Sequence, residues 1–416
     1  MEYRLGFAKT TMDVSIPDRN LLGVLHANQV EIGLTGEAEV VRALKNPIHS
    51  SRLCEIVRPG EKIVVITSDI TRPMPSHTVL PPLLDELRTA GIPDEDITVI
   101  FALGSHRQHT EEEKKYLVGE KVYTRIRCVD SGVNGFRNFG RTPNGTPVDI
   151  CNLVAGADRR ICLGNIEYHY FAGYSGGAKA IMPGVSTRAA IQANHSRMVD
   201  ECSHAGNMDT NTVRLDIDGV AKFIPIDFIL NVVLDEQKQI IKAVAGHYIE
   251  AHREGCQFLD RFYKIKIREK ADIVITSPGG FPKDLNLYQA QKALDNAKHA
   301  VKKGGIIIFV ASCKEGFGEK TFEEWIVGAQ TPGELVERIK RDFKLGGHKA
   351  AAIAMILQQQ KVYIVSDLAD SQVENIFFEP FHDVQKALEQ AFKKLGDEAK
   401  VILIPHGGSI LPVVEP

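Results

Sequence analysis

Cysteine and tryptophan are scarce in this sequence. Its 416 residues include seven cysteines and one tryptophan. The cysteines are odd in number, scattered along the chain and never arranged as C-x-x-C, which is not the pattern of a disulfide framework or a zinc knuckle. We therefore interpret them as reduced thiols, most of them buried as small apolar residues.

Long apolar runs and a strong charge of one sign are also absent. No apolar stretch approaches the roughly 18 to 20 residues that span a membrane. The first residues, MEYRLGFAKTT, lack the cationic start and apolar core of a signal peptide. A net charge of -3 offers no attraction for nucleic acid or an anionic membrane. These absences predict a cytoplasmic protein that binds neither, and whose partner is a small molecule.

Strands and helices alternate over a length sufficient for two domains, since single cores rarely grow beyond about 250 to 300 residues. From Glu61 onward, KIVVITS, PPLLDELRTAG and ITVIFALG predict a strand, a helix and a strand, and hence a parallel sheet. Thr110 and Glu113 form a T-x-x-E capping box, which predicts that a helix begins directly after the loop GSHRQH.

A second alternation follows the polar, basic segment YKIKIREK. ADIVITS predicts a strand, LYQAQKALDNAKHAVKK a helix ended by Gly304 and Gly305, and GGIIIFVAS a strand. We place the two domains at 1–266 and 267–416, with the last dozen residues either completing the second sheet or returning to the first domain. The predicted fold is α/β, with two mainly parallel, Rossmann-like sheets and an active-site cleft between the domains.

Ligands of open α/β sheets bind at the carboxyl ends of strands, so the loops after strands carry the candidate residues. TSDITRPMPS follows the strand KIVVIT and contains Asp69 and Arg72. Two interpretations stay open. The segment is either an Asx-capped turn with an exposed arginine, or a site where hydroxyls, backbone N–H groups and Arg72 bind a phosphate or carboxylate.

The loop LGSHRQH follows the next strand and brings His106 to the same edge. With His109 it forms an H-x-x-H pair, which is too short and too loosely framed to be a recognised metal motif. A loop histidine is more often a surface residue than a catalyst, so this segment alone assigns no function.

The segment YHYFAGYSGGAKAIMPG places Lys179 after Gly173, Gly176 and Gly177, which permit close backbone approach to a ligand. It is not a phosphate-binding P-loop, because G-K-[ST] is absent. Desolvation among Ala178, Ala180, Ile181 and Met182 would lower the pKa of Lys179 and make it a nucleophile. The alternative is a lysine that extends to solvent.

Downstream, Ser186 or Thr187 can cap a predicted helix, TRAAIQANHSRMVDE, that carries His195 about two turns from its start. Either His195 is a surface histidine, or the trio His106, His169 and His195 supplies two acid/base groups and a metal ligand. In LYQAQKAL, Gln289 and Lys292 share a helix face at i, i+3 spacing. They form either an ordinary polar face or a clamp for a carboxylate.

Four segments in order resemble the nickel-pincer lactate racemase family of 2-hydroxyacid racemases and epimerases. They are SDITRPMPS, LGSHR, the long block from HYFAGYSGGAKAIMPG to NH, and YQAQK. They extend across both predicted domains, and the long third block is the most specific.

The resemblance implies an isomerase whose cofactor is a pyridinium-3-thioamide-5-thiocarboxylic acid mononucleotide with bound nickel. On this pattern, Lys179 would form the thioamide, His195 would be the nickel ligand, and His106 and His169 would be the acid/base pair. Further expected residues are Arg72, Gln289 and Lys292 at the substrate carboxylate and Asp69, Thr71, Gly176 and Gly177 at the cofactor. Residues 1–266 would bind the cofactor and 267–416 would close over the substrate.

The resemblance also implies partners and leaves alternatives. Proteins that synthesise the cofactor would be needed for maturation, and the chain made without them would be an inactive apo form. The substrate would be lactate or another 2-hydroxy acid, such as malate, a longer aliphatic acid or an aldonate. A non-enzymatic ligand-binding homologue is the rival from another class, against which Lys179 and His195 argue.

Overall fold

The computed structural model describes residues 1–415, which form two compact units. Unit 1 contains residues 1–29 and the described residues from Phe262 onward, and unit 2 contains Val30–Arg261. The strands are β1 Glu2–Phe7, β2 Thr10–Ser15, β3 Leu21–Val24, β4 Ile63–Ser68, β5 Ile97–Ala102, β6 Arg127–Asp130, β7 Phe136–Arg141, β8 Pro147–Cys151, β9 Arg159–Asn165, β10 Tyr168–His169, β11 Gly173–Tyr174, β12 Phe228–Leu234, β13 Ile240–Gly246, β14 Lys264–Ile267, β15 Ala271–Thr276, β16 Val301–Val310, β17 Lys361–Val365, β18 Glu379–Phe381, β19 Val401–Ile404 and β20 Leu411–Val414.

Helices alternate with these strands. The α-helices are α1 Gly36–Lys45, α2 Leu53–Ile56, α3 Ser76–Thr89, α4 Glu111–Val118, α5 Glu120–Tyr123, α6 Asn152–Ala155, α7 Arg188–His195, α8 Thr212–Gly219, α9 Glu250–Tyr263, α10 Leu287–Ala297, α11 Lys320–Gly328, α12 Pro332–Arg341, α13 Gly347–Leu357, α14 Asp370–Glu374 and α15 Val384–Leu395. Short 3-10 helices span Asp94–Asp96, Gly177–Ala180, Ser196–Val199 and Val220–Lys222. Within residues 1–415, no helix combines the length and apolar character needed to cross a membrane.

Unit 2 is built on a six-stranded sheet with the order β13-β12-β9-β4-β5-β6. Every neighbouring pair is parallel except the β12–β13 hairpin. The central strand β4 is buried along its apolar residues, as expected for a strand covered on both faces. Val40 of α1 and Leu83 and Leu87 of α3 pack with this sheet in one apolar core.

Unit 1 contains a second six-stranded sheet, β18-β17-β16-β15-β19-β3, in which all pairs are parallel. Its core includes Leu5, Phe7, Val14 and Ile16 of the β1–β2 hairpin, together with apolar residues of α15. The prediction of an α/β fold with mainly parallel sheets is confirmed.

The division of the chain differs from the ranges 1–266 and 267–416 at its beginning. Residues 1–29 belong with the C-terminal part, because β3 pairs with β19 and the β1–β2 hairpin packs into the same core. The last strand, β20, pairs in parallel with β14 and stays within unit 1. A strand supplied from the far end of the chain leaves no local sequence signal, which is why the pattern placed residues 1–29 in the first domain.

Two predicted helices need correction at their ends. The helix expected to continue to Gly304 ends at Ala297, and β16 already begins at Val301. The helix expected to run through 201 ends at His195 and is followed by the 3-10 turn Ser196–Val199. The capping box at Thr110 is confirmed, since the Thr110 side chain accepts a hydrogen bond from the Glu113 amide.

Candidate active site

The candidate residues of unit 2 lie in three loops at one edge of its sheet. Strands β9, β4 and β5 are neighbouring and parallel, so their carboxyl ends meet at this edge. Asp69 follows β4, His106 follows β5, and His169 follows β9. The Gly104 amide donates to the Gly184 carbonyl over 2.9 Å, which joins the His106 loop to the segment after Lys179.

Asp69 and His106 form a hydrogen-bonded pair. The His106 Nδ1 lies 2.7 Å from Asp69 Oδ2, and the Thr71 hydroxyl donates to the same carboxylate over 2.9 Å. Burial alone would raise the pKa of Asp69, but the hydrogen bond with His106, the His106 charge, Thr71 and Arg72 together lower it. An ionised Asp69 accepts the Nδ1–H of His106, which leaves the Nε2 lone pair to take a proton.

His109, to which the sequence analysis assigned no role, connects the loop after β4 to the end of β6. Its Nδ1 lies 2.6 Å from Asp130 Oδ1, and its Nε2 accepts the Ile70 amide over 3.1 Å. These two contacts define a neutral ring with the proton on Nδ1. The buried His109 thereby ties the backbone beside Asp69 to the end of β6. In the sequence, only the H-x-x-H spacing drew attention to His109. Its structural role could not be predicted, because it depends on Asp130, which lies 21 residues further along the chain.

Phe171 is the common neighbour of three further candidates in unit 2, which are His169, Lys179 and His195. Its ring centre lies 4.5 Å from that of His169 and 5.0 Å from that of His195, both edge-on. The Lys179 Nζ lies 5.9 Å from the same ring centre. The long sequence block therefore brings His169, Lys179 and His195 together, and Phe171, which sequence reasoning passed over, is the surface that they share.

The electrostatic environment favours neutral nitrogens here. Desolvation lowers the pKa of Lys179 well below its ordinary value, and the charges of Arg214 and Arg72 lower it further, against an opposing effect of Glu167. Desolvation also lowers the pKa of His169 well below its ordinary value, with Lys179 and Arg72 contributing. A neutral amine is the nucleophilic form of lysine, so Lys179 has the chemistry required of a covalent handle.

Gly176 and Gly177 face the protein interior. A Cβ at Gly176 would lie 2.7 Å from Asn231 Oδ1, and one at Gly177 would lie 3.0 Å from the His252 ring. Both have positive φ, at 77° and 61°. The Gly177 amide donates to Asn231 Oδ1 over 2.7 Å, so this N–H already has a hydrogen-bond acceptor within the protein. Close packing of the loop on β12 and α9 accounts for these two glycines.

His195 is held in one orientation by its neighbour. The Asn194 amide group donates to Val213 O and to Asp216 Oδ2, which fixes its Oδ1 as an acceptor 2.9 Å from His195 Nδ1. His195 Nδ1 therefore donates to Asn194 Oδ1, which is the second hydrogen bond that orients metal-binding histidines. Residues 1–415 contain no cluster of three or more His, Cys, Asp or Glu side chains placed to hold a metal ion.

Gln289 and Lys292 lie on the first turns of α10 in unit 1. The Asn286 side chain caps this helix by accepting the Gln289 amide over 3.0 Å. Lys349 of α13 donates to the Tyr288 carbonyl over 2.5 Å, and its Nζ lies 4.0 Å from the centre of the Tyr288 ring. The start of α10 is therefore fixed by a cap on one side and by Lys349 on another.

Comparison with known proteins identifies the family. The model for the lactate racemase N-terminal domain matches residues 7–206, and the model for the lactate racemase C-terminal domain matches residues 266–412. The chain belongs to the lactate racemase family.

Relatives within the lactate racemase family match over nearly the full length. The lactate racemase of Thermoanaerobacterium thermosaccharolyticum is 34% identical over 97% of both chains. That of Lactiplantibacillus plantarum is 35% identical over 98% of both chains. The structure of the T. thermosaccharolyticum lactate racemase apoprotein aligns over 100% of both chains with a TM-score of 0.88 and 33% identity.

A crystal structure of a Thermotoga maritima protein shares the fold alone, with a TM-score of 0.62 and 17% identity over 91% of this chain and 97% of that one. Membership of the lactate racemase family confirms the prediction of an enzyme of the isomerase class.

Proposed function

We propose that the chain racemises a small 2-hydroxy acid by reversible hydride transfer to a nickel-pincer nucleotide tethered to Lys179. Lactate is the first candidate, because both named relatives are lactate racemases. The observation that carries the proposal is the arrangement around Phe171, whose ring is shared by a lysine, an acid/base histidine and an oriented, buried histidine.

The residues present fit the cofactor. The family depends on nickel in general, and a metal held mostly by cofactor atoms needs few protein ligands. A lone oriented imidazole, His195, suits that need, and the neutral amine of Lys179 suits acylation. Asp69 and Thr71 would contact the cofactor from the β4 loop. Gly176 and Gly177 would contribute to cofactor binding through the turn before Lys179, which their positive φ angles allow. When bound, the group supplies a reversible hydride acceptor.

Two histidines serve the two enantiomers. A proton alpha to a carboxylate is hardly acidic, because its removal places carbanion charge beside an existing negative charge. Removing the C2 hydrogen as hydride while an imidazole accepts the hydroxyl proton avoids this, and leaves a planar 2-keto acid. His106, oriented by Asp69, accepts the proton from one hydroxyl orientation, and His169 serves the other.

Three residues are proposed to bind the substrate carboxylate. Arg72 is exposed in the β4 loop of unit 2, and a guanidinium binds a carboxylate through two parallel hydrogen bonds. Gln289 and Lys292 of unit 1 are proposed as its further ligands, so that the planar intermediate turns without dissociating. In this proposal unit 2 is the cofactor-binding part and unit 1 contributes to substrate binding.

The test is expression with and without cofactor-synthesis enzymes. We expect a nucleotide-sized mass increase on the peptide containing Lys179 only with those enzymes, and none in Lys179→Ala. The exposed lysine variant Lys222→Arg serves as the control. If fully metallated wild-type chain shows no adduct, the proposal fails.

A substrate panel on the metallated protein decides between the remaining alternatives. Single enantiomers of lactate, malate, a longer aliphatic 2-hydroxy acid and an aldonate would be followed to equilibrium by chiral chromatography. Racemisation of lactate fastest is the expected result. Binding without any turnover across the panel would instead support a non-enzymatic ligand-binding homologue.

A further inference from the structure

Arg214 is a buried charged side chain to which the proposed mechanism assigns no task. It lies on α8 with none of its surface exposed, directly beneath the loop that leads from His169 to Lys179. Burying a guanidinium costs free energy unless its N–H donors are hydrogen-bonded, so the partners of Arg214 indicate what its burial achieves.

Those partners are backbone carbonyls of the loop. The Arg214 guanidinium donates to Ala172 O over 3.3 Å, to Tyr174 O, and to Gly176 O over 3.5 Å. The Gly176 carbonyl also accepts the Lys179 amide over 3.3 Å. The Gly176 carbonyl therefore links the Arg214 side chain to the backbone of Lys179.

Neighbours of Arg214 hold the carbonyls that it does not reach. Asn211, which caps α8, donates to Phe171 O over 2.9 Å. The His252 Nε2 donates to Ser175 O over 2.7 Å. Five of the six loop carbonyls from Phe171 to Gly176 therefore accept from side chains of α8, its N-cap and α9.

We propose that Arg214 is a positioning residue for Lys179, holding the 172–176 backbone so that the lysine amine is presented in its uncharged form for acylation. The proposal rests on the proposed function, in which Lys179 is the covalent handle.

The charges around the lysine support this. Arg214 pairs with Asp218 Oδ1 at 3.3 Å, and Asp218 also pairs with Arg253. The positive charge of Arg214 nevertheless disfavours the protonated form of Lys179. His252 adds no charge, because burial, with Arg214 and Arg253, lowers its pKa to about 3. Beside the lysine, His169 is neutral, Arg72 adds positive charge and Glu167 opposes it.

The test uses the apoprotein and a chemical probe. Wild-type chain and variants are labelled with trace acetic anhydride across about pH 5 to 10, and the acetylation of Lys179 is read by peptide mass spectrometry. In Arg214→Met the pH of half-maximal labelling should rise by about one unit or more, because a like charge that disfavours protonation is gone. Amide hydrogen exchange at 172–177 should accelerate about tenfold or more.

Two further variants separate the charge from the contacts. Arg214→Lys keeps the positive charge but loses the planar guanidinium that binds several carbonyls at once. Amide hydrogen exchange at 172–177 should therefore accelerate, while the pH of half-maximal Lys179 labelling stays near the wild-type value. Asp218→Asn keeps the Arg214 guanidinium and removes a negative charge beside it, so the pH of half-maximal Lys179 labelling should fall. A purely structural role would not produce shifts of opposite sign, and Asp218→Asn and Arg214→Lys carry the test if Arg214→Met fails to fold.

Arg160→Lys is the matched control, because Arg160 is also buried and donates to the carbonyls of Val154 and Ala157, away from Lys179. It should alter neither readout. Unchanged labelling and exchange in both Arg214 variants would overturn the proposal. Absence of an adduct on wild-type Lys179 in coexpression would instead overturn the proposed function and leave these measurements standing.

Discussion

At the scale of single residues, the Asp69 carboxylate both orients His106 and contributes to stability. Asp69 is 2% exposed and its pKa is lowered, so it is ionised at neutral pH. Asp69→Asn should reduce racemisation by about tenfold or more, because the carboxamide no longer fixes the tautomer of His106. The measurement is the racemisation rate of nickel-loaded protein, and a variant with wild-type rate would contradict the assigned pairing.

The same variant carries a pH dependence of known sign. A carboxylate whose pKa is lower in the folded than in the unfolded chain stabilises the fold above about pH 4, and this contribution is lost as pH falls through the folded pKa. The difference in unfolding free energy between wild type and Asp69→Asn should therefore shrink between pH 7 and pH values below about 4. Urea unfolding at both pH values measures it, and a constant difference would argue against an ionised Asp69.

The two proposed acid/base histidines give a direct test of mechanism. His106→Gln and His169→Gln should each lower the racemisation rate by about 10²-fold to 10⁴-fold, the usual contribution of a positioned acid/base group. Both should still acquire the Lys179 adduct and nickel. His382→Gln is the control, since that histidine side chain is 68% exposed. Full activity in either test variant would remove that residue from the mechanism.

Asn194 offers a test of the proposed nickel site that does not depend on activity. Asn194→Leu removes the acceptor that orients His195, and loss of such a partner typically costs 10-fold to 100-fold in metal affinity, or about 1.4 to 2.8 kcal/mol. We expect the Lys179 adduct to persist while nickel content, measured by plasma mass spectrometry, falls. His195→Ala should lose nickel more completely. Full nickel occupancy in His195→Ala would refute its role as ligand.

Much of this site was accessible from the sequence because it is local. Asp69 and Thr71 are neighbours in one loop, and Lys179 and His195 fall in one continuous block, so the resemblance of short segments to the family could propose them together. The residues that support them come from elsewhere. Asp130 lies on β6, and Arg214 lies on α8. A polar residue on a distant element carries no spacing signal, since only the folded chain reveals which loop it contacts.

At the scale of elements, α10 shows the limit of reading glycines as helix ends. Gly304 and Gly305 predicted a helix stop, but they lie within β16, beside the register shift between Ala271 and Ile273. A Cβ at Gly305 would lie 2.6 Å from Asp272 O. The glycine is required by a strand irregularity, which favours the same residue as a helix terminus does.

The same helix gives a prediction about substrate binding. Lys349→Met removes the hydrogen bond to Tyr288 O and the cation–π contact with its ring, and so loosens the turn that carries Gln289. We expect KM for the 2-hydroxy acid to rise several-fold, with a smaller change in kcat. Lys344→Met, from the same stretch but 54% exposed, is the control. A change in kcat alone would argue against a role in carboxylate binding.

At the scale of the whole molecule, the first 29 residues are an integral part of unit 1. Leu5 is fully buried in that core, so Leu5→Ala should cost about 2 to 5 kcal/mol of unfolding free energy. Hydrogen exchange should accelerate in β15 and β16 before it does in β4 and β5. Leu22→Ala, at a residue 38% exposed, is the control. Equal acceleration in both units would show that they unfold as one.

The buried nitrogens of Lys179, His169 and His252 should make the unfolding of unit 2 a proton-consuming reaction. The pKa values of Lys179, His169 and His252 are all lower in the folded chain than in an unfolded one. Each nitrogen that is uncharged when folded takes up a proton from the buffer on exposure to water below its ordinary pKa. The calorimetric heat of unfolding should therefore vary with the ionisation enthalpy of the buffer. Acylation of Lys179 would remove one of these protons from the balance.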